Sequence, residues 1–344
     1  MEKTRLGRTG LLVTRSAFGA LPIQRLSKED AVPLLRRAYD SGINFYDTAR
    51  LYTDSEEKIG AALSDVRKTI IISSKFKAAT GEQMRASLAI SLKNLGTDYI
   101  DIYQLHNPDR VFYPGEDNGV YDALLEAKKE GLIRFIGMTN HRLHVALETI
   151  NSGLYDTVQY PLNYLSAEAE LNLPQKCAES DIGMLIMKAL SGGIITNAAA
   201  SFAFLRQYPN AVPLWGIQKM SELEDFISWE KNPPVLNEKL LQAIKEDRDE
   251  LGGVFCRGCG YCLPCAANID IPFAARMSHL IRRSPLPTYL NEAWRDKMEL
   301  ITQCTDCGHC RKNCPYGLDS PALLRSALED YRDYYRRFQE GDLK

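Results

Sequence analysis

The chain has 344 residues, 45% of them hydrophobic and 25% charged, enough to bury a barrel-sized core and a second small domain. A formal charge of −2 argues against a basic nucleic-acid binder or a polybasic membrane-surface protein. No apolar run has the length of a membrane span, and none follows Met1-Glu2-Lys3-Thr4-Arg5 as a signal sequence would, so the expectation is a cytoplasmic protein with neither nucleic-acid nor membrane partners.

In chain order, Arg5–Val13 reads as a β-hairpin turned at Gly7 and Gly10, suited to plugging the bottom of a barrel. Short apolar runs come next at Ser16–Gly19, Ile43–Tyr46, Ile70–Ser73, Ile100–Gln104, Arg134–Met138, Thr157–Gln159, Met184–Met187 and Val212–Trp215. Between and after them lie helical patterns at Lys28–Ser41, Ser55–Leu63, Gly81–Leu95, Tyr121–Glu130, Leu143–Ile150, Ala167–Ser180, Ala198–Arg206 and Ser221–Trp229. Continuous apolar strands alternating with helices imply parallel strands buried on both faces. Eight such units in about 210 residues fit a closed (β/α)8 TIM barrel better than an open sheet. No glycine-rich dinucleotide fingerprint follows the first strand, which also counts against the open sheet.

Lys231-Asn232-Pro233-Pro234 then breaks the chain, which divides into a barrel, 1–232, and a second domain, 233–344. The second domain opens with a helix, Val235–Leu251, ended by Gly252-Gly253. Helical patterns follow at Pro272–Ile281 and Tyr289–Ile301, separated by Ser284–Pro287, and a last one near Pro321–Gln339. The fold class is therefore α/β, with a small, mainly α-helical domain at the C-terminal end.

Polar residues at the C-terminal ends of barrel strands point into the active-site mouth. Asp47 follows the second strand, with Tyr52 in the loop beyond it; Lys75 ends the third and His106 the fourth. Singly these are a helix cap, a packing ring, a strand-end charge and a core histidine. Together they form a candidate catalytic group, in which Asp47 would offset the cost of burying Lys75.

Eight of the nine cysteines lie between Cys256 and Cys314, and clustering of this kind, without a signal sequence, points to metal rather than disulfides. The ninth, Cys177, reads as an inert core thiol. The first block is Cys256, Cys259, Cys262 and Cys265; the second is Cys304, Cys307, Cys310 and Cys314, followed by Pro315. The second is a bacterial ferredoxin run, in which three thiolates serve one cluster and the fourth serves the other. That pairing gives Cys256, Cys259, Cys262 and Cys314 to one [4Fe-4S] cluster, and Cys304, Cys307, Cys310 and Cys265 to a second. The helical connector favours a ferredoxin-like domain of the helical kind. Two structural zinc sites are the rival reading, although zinc sites usually present two separated pairs. The shortened first block, with Ala266 where proline is usual, leaves room for a single cluster. His309 reads as a bystander beside a sufficient set of thiolates.

Over roughly residues 1–230 the chain resembles the aldo-keto reductase family. The resemblance rests on Asn44-Phe45-Tyr46-Asp47-Thr48-Ala49, Tyr52 before Ser55-Glu56-Glu57, Ser74-Lys75, Gln104-Leu105-His106, Gly137-Met138-Thr139-Asn140 and Gln159-Tyr160. It implies hydride transfer from a nicotinamide cofactor to an aldehyde or ketone. Tyr52 would donate the proton, Lys75 (held by Asp47) would tune it, and His106 would orient the carbonyl oxygen. Thr139, Asn140 and Gln159 would hold the carboxamide.

Met187 stands where many members stack a tyrosine on the nicotinamide, followed by Lys188 and Leu190. Ser191, Gly192 and Gly193 fit a pyrophosphate. Around Gly216 and Gln218, Lys219 offers a partner for a 2′-phosphate that Glu222 and Asp225 oppose, a modest preference for NADP(H) over NAD(H). Phe112, Tyr113 and the segment Tyr160–Leu165 suggest room for an apolar or aromatic substrate group at the mouth. The expected function is an NAD(P)H-dependent carbonyl reductase with accessory clusters. The alternative is an electron-transfer or redox-sensing protein whose barrel binds nucleotide with little carbonyl turnover. The clusters themselves read as a structural staple, a relay to an external redox protein, or a redox sensor.

Overall fold

In a computed structural model, which describes residues 1–251, 255–282 and 285–343, the eight expected βα units close into a parallel barrel. A hairpin precedes it, β1 (Lys3–Arg5) and β2 (Leu12–Thr14). The barrel strands are β3 (Ala17–Gly19), β4 (Phe45–Asp47), β5 (Ile71–Phe76), β6 (Ile100–His106), β7 (Ile133–Thr139), β8 (Thr157–Pro161), β9 (Gly183–Met187) and β10 (Ala211–Gly216). Each pairs with its sequence neighbour, and β10 closes the ring on β3 through Leu214↔Ala17 and Gly216↔Gly19.

The barrel helices are α1 (Lys28–Asp40), α2 (Ser55–Leu63), α3 (Gly81–Leu95), α4 (Val120–Lys129), α5 (Leu143–Ser152), α6 (Glu168–Leu171), α7 (Leu173–Glu179), α8 (Ala198–Leu205) and α9 (Met220–Lys231). The single helix expected over Ala167–Ser180 is two, α6 and α7. Pro174, which has no N–H to donate, sits in the first turn of α7, where none is required. Strands β5, β6 and β7 run further than their apolar cores and carry Lys75, His106 and Thr139 as their last or next-to-last residues.

The lower barrel interior is apolar: Phe45, Ile71, Ile102, Leu185, Val212 and Leu214 pack with Leu6, Leu11 and Val13 of the hairpin. The hairpin thus plugs the bottom, pinned by Arg8 N–H donating to the Asp181 carbonyl at 2.6 Å and Thr4 Oγ1 to the Pro209 carbonyl at 3.1 Å.

The chain divides into two compact units. One is Met1–Ala189 with Ala199–Leu241; the other is Leu190–Ala198 with the residues from Gln242 onward. The second unit is helical: α10 (Glu238–Leu251, which begins in the first unit), α11 (Ile271–Ala274), α12 (Met277–Arg282), α13 (Glu292–Glu299), α14 (His309–Asn313) and α15 (Ser320–Gln339). Helix α10 starts three residues later than expected because Asn237 Oδ1 accepts the Leu240 N–H at 3.1 Å, and Asn291 starts α13 likewise through the Trp294 N–H. The Gly252-Gly253 stop and Ser284 lie outside the described residues. The pattern over Pro272–Ile281 is carried by two short helices, α11 and α12. Ile271, Met277, Ile281, Met298, Leu324 and Tyr331 form the core there, with Cys262 and Cys310 packed into it. Among the described residues no helix is long and apolar enough to cross a membrane.

Candidate active site

Alternate residues of a strand share a face, so the strand register decides which side chains meet inside the barrel. Asp47 pairs with Ser73, Lys75 with Gln104, His106 with Thr139, and Thr139 with Gln159. The inward residues at the C-terminal ends of β4 to β8 are therefore the polar ones singled out in the sequence.

Lys75 is fully buried, and its Nζ donates to Asp47 Oδ2 at 2.6 Å and to the Thr48 carbonyl at 2.7 Å. An anionic and a dipolar acceptor together make a buried ammonium tolerable. Burial still pushes the Lys75 pKa below, and that of Asp47 above, its ordinary range. Tyr52 arrives on the loop after β4, held in a turn by its N–H on the Ala49 carbonyl and its own carbonyl on the Ser55 N–H. The Lys75 ammonium lies 5.4 Å from the centre of the Tyr52 ring, and that ring meets His106 edge-on at 5.9 Å. Burial first, then the charges of Lys75 and Lys77, push the His106 pKa down to about 3, so its imidazole is neutral at ordinary pH. Its Nδ1 is buried with no hydrogen-bond partner among the described residues. Asp47, Tyr52, Lys75 and His106 thus meet at one place.

Two members of this network were missed at the sequence level, Ser73 and Gln104. Gln104 Nε2 donates to Ser73 Oγ and to Gln159 Oε1, both at 2.7 Å. With its oxygen so engaged, Gln159 turns its Nε2 toward Asp47 Oδ2, 3.4 Å away. Gly137 makes room for this, since a Cβ there would lie 2.7 Å from Gln104 Cγ and 2.4 Å from Thr157 Oγ1. The signal was available: Ser73 and Gln104 stand two residues before Lys75 and His106, on the same inward face.

A second feature carries no sequence signal. Thr53, Asn107 and Lys188 have φ of 42°, 56° and 57°, and they directly follow Tyr52, His106 and Met187. Asn tolerates this left-handed region, whereas Thr and Lys pay for it in strain. Neighbours hold the last two: Asn107 N–H on the Thr139 carbonyl, and the Lys188 carbonyl on Asn163 Nδ2.

The residues read as cofactor contacts differ in how free they are. Thr139 is buried, and its hydroxyl donates to the Met187 thioether at 3.8 Å, a weak acceptor that a carboxamide could replace. Asn140 is tied to two loops, donating to the Pro108 carbonyl after β6 and accepting the Arg142 N–H of its own loop, both at 2.8 Å. Glu222 accepts the N–H groups of Gln218 and Lys219 and so caps α9. Gly216, Lys219 and Asp225 are exposed, and Gln218 Oε1 accepts from Arg25. Leu190, Ser191 and Gly193 belong to the second unit, where Ser191, Gly192 and Gly193 are three successive left-handed residues.

The cysteine blocks meet within the second unit. A cavity of about 280 Å³ is lined by Cys265 of the first block and Cys304, Cys307 and Cys310 of the second, with Cys262, Ile269 and Leu324 among the other walls. These are the four thiols assigned to one cluster from spacing. Five thiols therefore wall this apolar cavity, those four and Cys262 of the other set, a donor chemistry that fits a [4Fe-4S] group. Among the described residues no three Cys, His or acidic side chains are gathered as one metal ion requires. Burial, with Cys256, Cys259 and Cys310 nearby, pushes the Cys262 pKa up to about 12, so its thiolate needs a bound cation.

Residues 16–203 match the model of the aldo/keto reductase family, and residues 255–319 match that of a 4Fe-4S dicluster domain. L-galactose dehydrogenase of Arabidopsis thaliana is 30% identical over 57% of this chain and 68% of its own length. The NADH-specific methylglyoxal reductase of Escherichia coli is 28% identical over 57% of this chain and 70% of its own. A solved Pseudomonas aeruginosa chain ascribed to the aldo-keto reductases is 28% identical, covering 66% of this chain and 93% of that one, with a TM-score of 0.59. A Klebsiella pneumoniae aldo-keto reductase in complex with NADPH shares the fold at 21% identity, covering 71% of this chain and 94% of that one (TM-score 0.61).

Proposed function

Because this chain belongs to the aldo/keto reductase family and continues into a 4Fe-4S dicluster domain, we propose that it reduces aldehydes or ketones with NAD(P)H and holds two [4Fe-4S] clusters. The observation that carries this reading is the buried Lys75–Asp47 pair beside Tyr52 and a neutral His106.

A bound reduced nicotinamide supplies the hydride. Tyr52 donates its hydroxyl proton to the substrate oxygen, and the nearby Lys75 ammonium favours the phenolate left behind. Asp47 keeps that ammonium in place and charged. His106 offers an N–H to the substrate oxygen without competing for the proton, since it titrates far below neutrality. Thr139 and Gln159 orient the carboxamide, with Gln159 itself fixed by Gln104. Ser191 and Gly193 receive the pyrophosphate, and Lys219 the 2′-phosphate that favours NADP(H). Relatives named for L-galactose and methylglyoxal place carbonyl compounds first in the substrate panel, alongside the apolar or aromatic carbonyls that Phe112 and Tyr113 suggest. Cys256, Cys259, Cys262 and Cys314 hold one cluster, and Cys265, Cys304, Cys307 and Cys310 the other.

The test is anaerobic purification with iron and sulfide analysis, followed by NAD(P)H oxidation with a panel of aldehydes and ketones. About eight irons per chain are expected. Tyr52→Phe should keep nucleotide binding and lose about 10²–10⁴-fold in rate. Tight nucleotide binding without turnover of any carbonyl would instead support a nucleotide-binding redox sensor.

A further inference from the structure

Arg276, at the turn between α11 and α12, is 5% exposed. Its Nε donates to the Pro272 carbonyl at 2.7 Å and its Nη1 to the Gly192 carbonyl at 3.0 Å. Two glycines make room for the same guanidinium. A Cβ on Gly192 would lie 2.9 Å from Nη1, and one on Gly258 would lie 2.7 Å from Cζ. Gly258 stands between Cys256 and Cys259 in the first cysteine block, and Gly192 between Ser191 and Gly193. Both have positive φ, 61° and 67°, and all these residues belong to the second compact unit. One buried cation is therefore clasped between a cysteine loop and the segment read as the pyrophosphate loop.

We infer that Arg276 is a positioning residue coupling dinucleotide-phosphate binding at Ser191–Gly193 to the redox state of the cluster held by Cys256, Cys259 and Cys262. The inference rests on the functional reading above, in which that segment takes the pyrophosphate. A guanidinium is a rigid planar fork, so a pull on one arm displaces the other. A phosphate at Ser191–Gly193 draws the cation toward Gly192. An electron added to the cluster makes it more negative and draws the same cation toward Gly258. The two anions compete for one charge, so each weakens the other, by the same factor in both directions.

The experiment uses the cluster-loaded full chain under anaerobic conditions. Its probe is ADP-ribose, which carries the pyrophosphate but no nicotinamide that a reductant could convert. Calorimetric affinity for ADP-ribose is compared between oxidised and dithionite-reduced protein, with the electron paramagnetic resonance spectrum of the reduced cluster recorded with and without ligand. The oxidised form should bind about five-fold or more tightly than the reduced form, and ligand should alter the cluster spectrum. Arg276→Gln should still bind ADP-ribose but with the two affinities equal and the spectrum unmoved. Arg276→Lys, which keeps the charge and loses the fork, should also lose most of the difference. Tight binding with the same affinity in both redox states of the native protein overturns the coupling alone. Absence of binding by both ADP-ribose and its 2′-phosphate removes the functional reading, and the coupling with it.

Discussion

Lys75→Met isolates the buried ion pair. The substitution deletes an ammonium that sits 2.6 Å from Asp47 Oδ2 and 2.7 Å from the Thr48 carbonyl, and leaves Asp47, 4% exposed, without its cation. Removing one partner of a buried pair costs about 3–5 kcal/mol. In a barrel of this size each kcal/mol lowers the melting temperature by about 2–4 °C, so a fall of about 6–20 °C is expected. Adding Asp47→Asn removes the stranded charge, and the double variant should lose about 1–3 kcal/mol less than the two single losses added together. The pH dependence has a definite sign. Burial already raises the Asp47 pKa above its unfolded value, and without Lys75 it rises further. A group raised in the folded state favours folding when protonated, and that contribution is lost as the pH climbs through its folded value. The deficit of Lys75→Met should therefore be smaller at pH 5 than at pH 8. Thermal melts followed by circular dichroism at both pH values provide the assay. A single variant within 1 kcal/mol of the native protein at pH 8, or strictly additive losses, would refute the reasoning.

The rate of carbonyl reduction should show no inflection near the ordinary histidine range, because His106 titrates at about 3; a limb near 6.5 that disappears in His106→Asn would count against a neutral imidazole. Gly137→Ala should destabilise the barrel by about 1–3 kcal/mol in urea unfolding, since its Cβ would lie 2.4 Å from Thr157 Oγ1, and Gln104→Ala in the same chain should recover part of that. A loss below about 0.5 kcal/mol would show that Gln104 is free to move aside. Cys265→Ser should abolish the same cluster signal as Cys307→Ser and cost about four irons per chain, while Cys314→Ser abolishes the other. If Cys265→Ser and Cys259→Ser remove one and the same signal, the crossed ligand assignment is wrong.

The barrel was legible because burial on both faces turns each strand into an apolar run, and eight runs of that kind leave few alternatives. The meeting of Asp47, Lys75 and His106 was legible for a related reason: a polar residue ending an apolar strand has few ways of being tolerated. Gln104 and Ser73 were overlooked although they obey the same period of two, because a neutral amide or hydroxyl in a strand announces no cost of burial. The left-handed residues Thr53, Asn107 and Lys188 were beyond reach, since two of the three residue types disfavour that backbone and the bonds that hold Asn107 and Lys188 come from other strands and loops. The helix over Ala167–Ser180 reads as one because apolar periodicity continues through Asn172, whereas the backbone responds to Pro174. In the second unit the ferredoxin run assigned Cys265 together with Cys304, Cys307 and Cys310, which line one cavity along with Cys262, but nothing in the spacing pointed to Arg276.

The N-terminal plug also constrains the order of assembly. Leu6 packs with Leu185, Val212 and Leu214, Arg8 bonds to the Asp181 carbonyl, and Thr4 to that of Pro209. β3 likewise finds one of its two neighbours only in β10. During synthesis from the N-terminus, these first residues emerge long before the chain that receives them. They must wait, with one strand edge and one apolar face open, until β10, about 200 residues further on, has left the ribosome. Closure is therefore a late step of high contact order, and slow relative to the local βα units. Translation past Gly216 is the moment at which this protein stops being an open sheet exposed to aggregation and acquires the closed ring on which its chemistry is mounted.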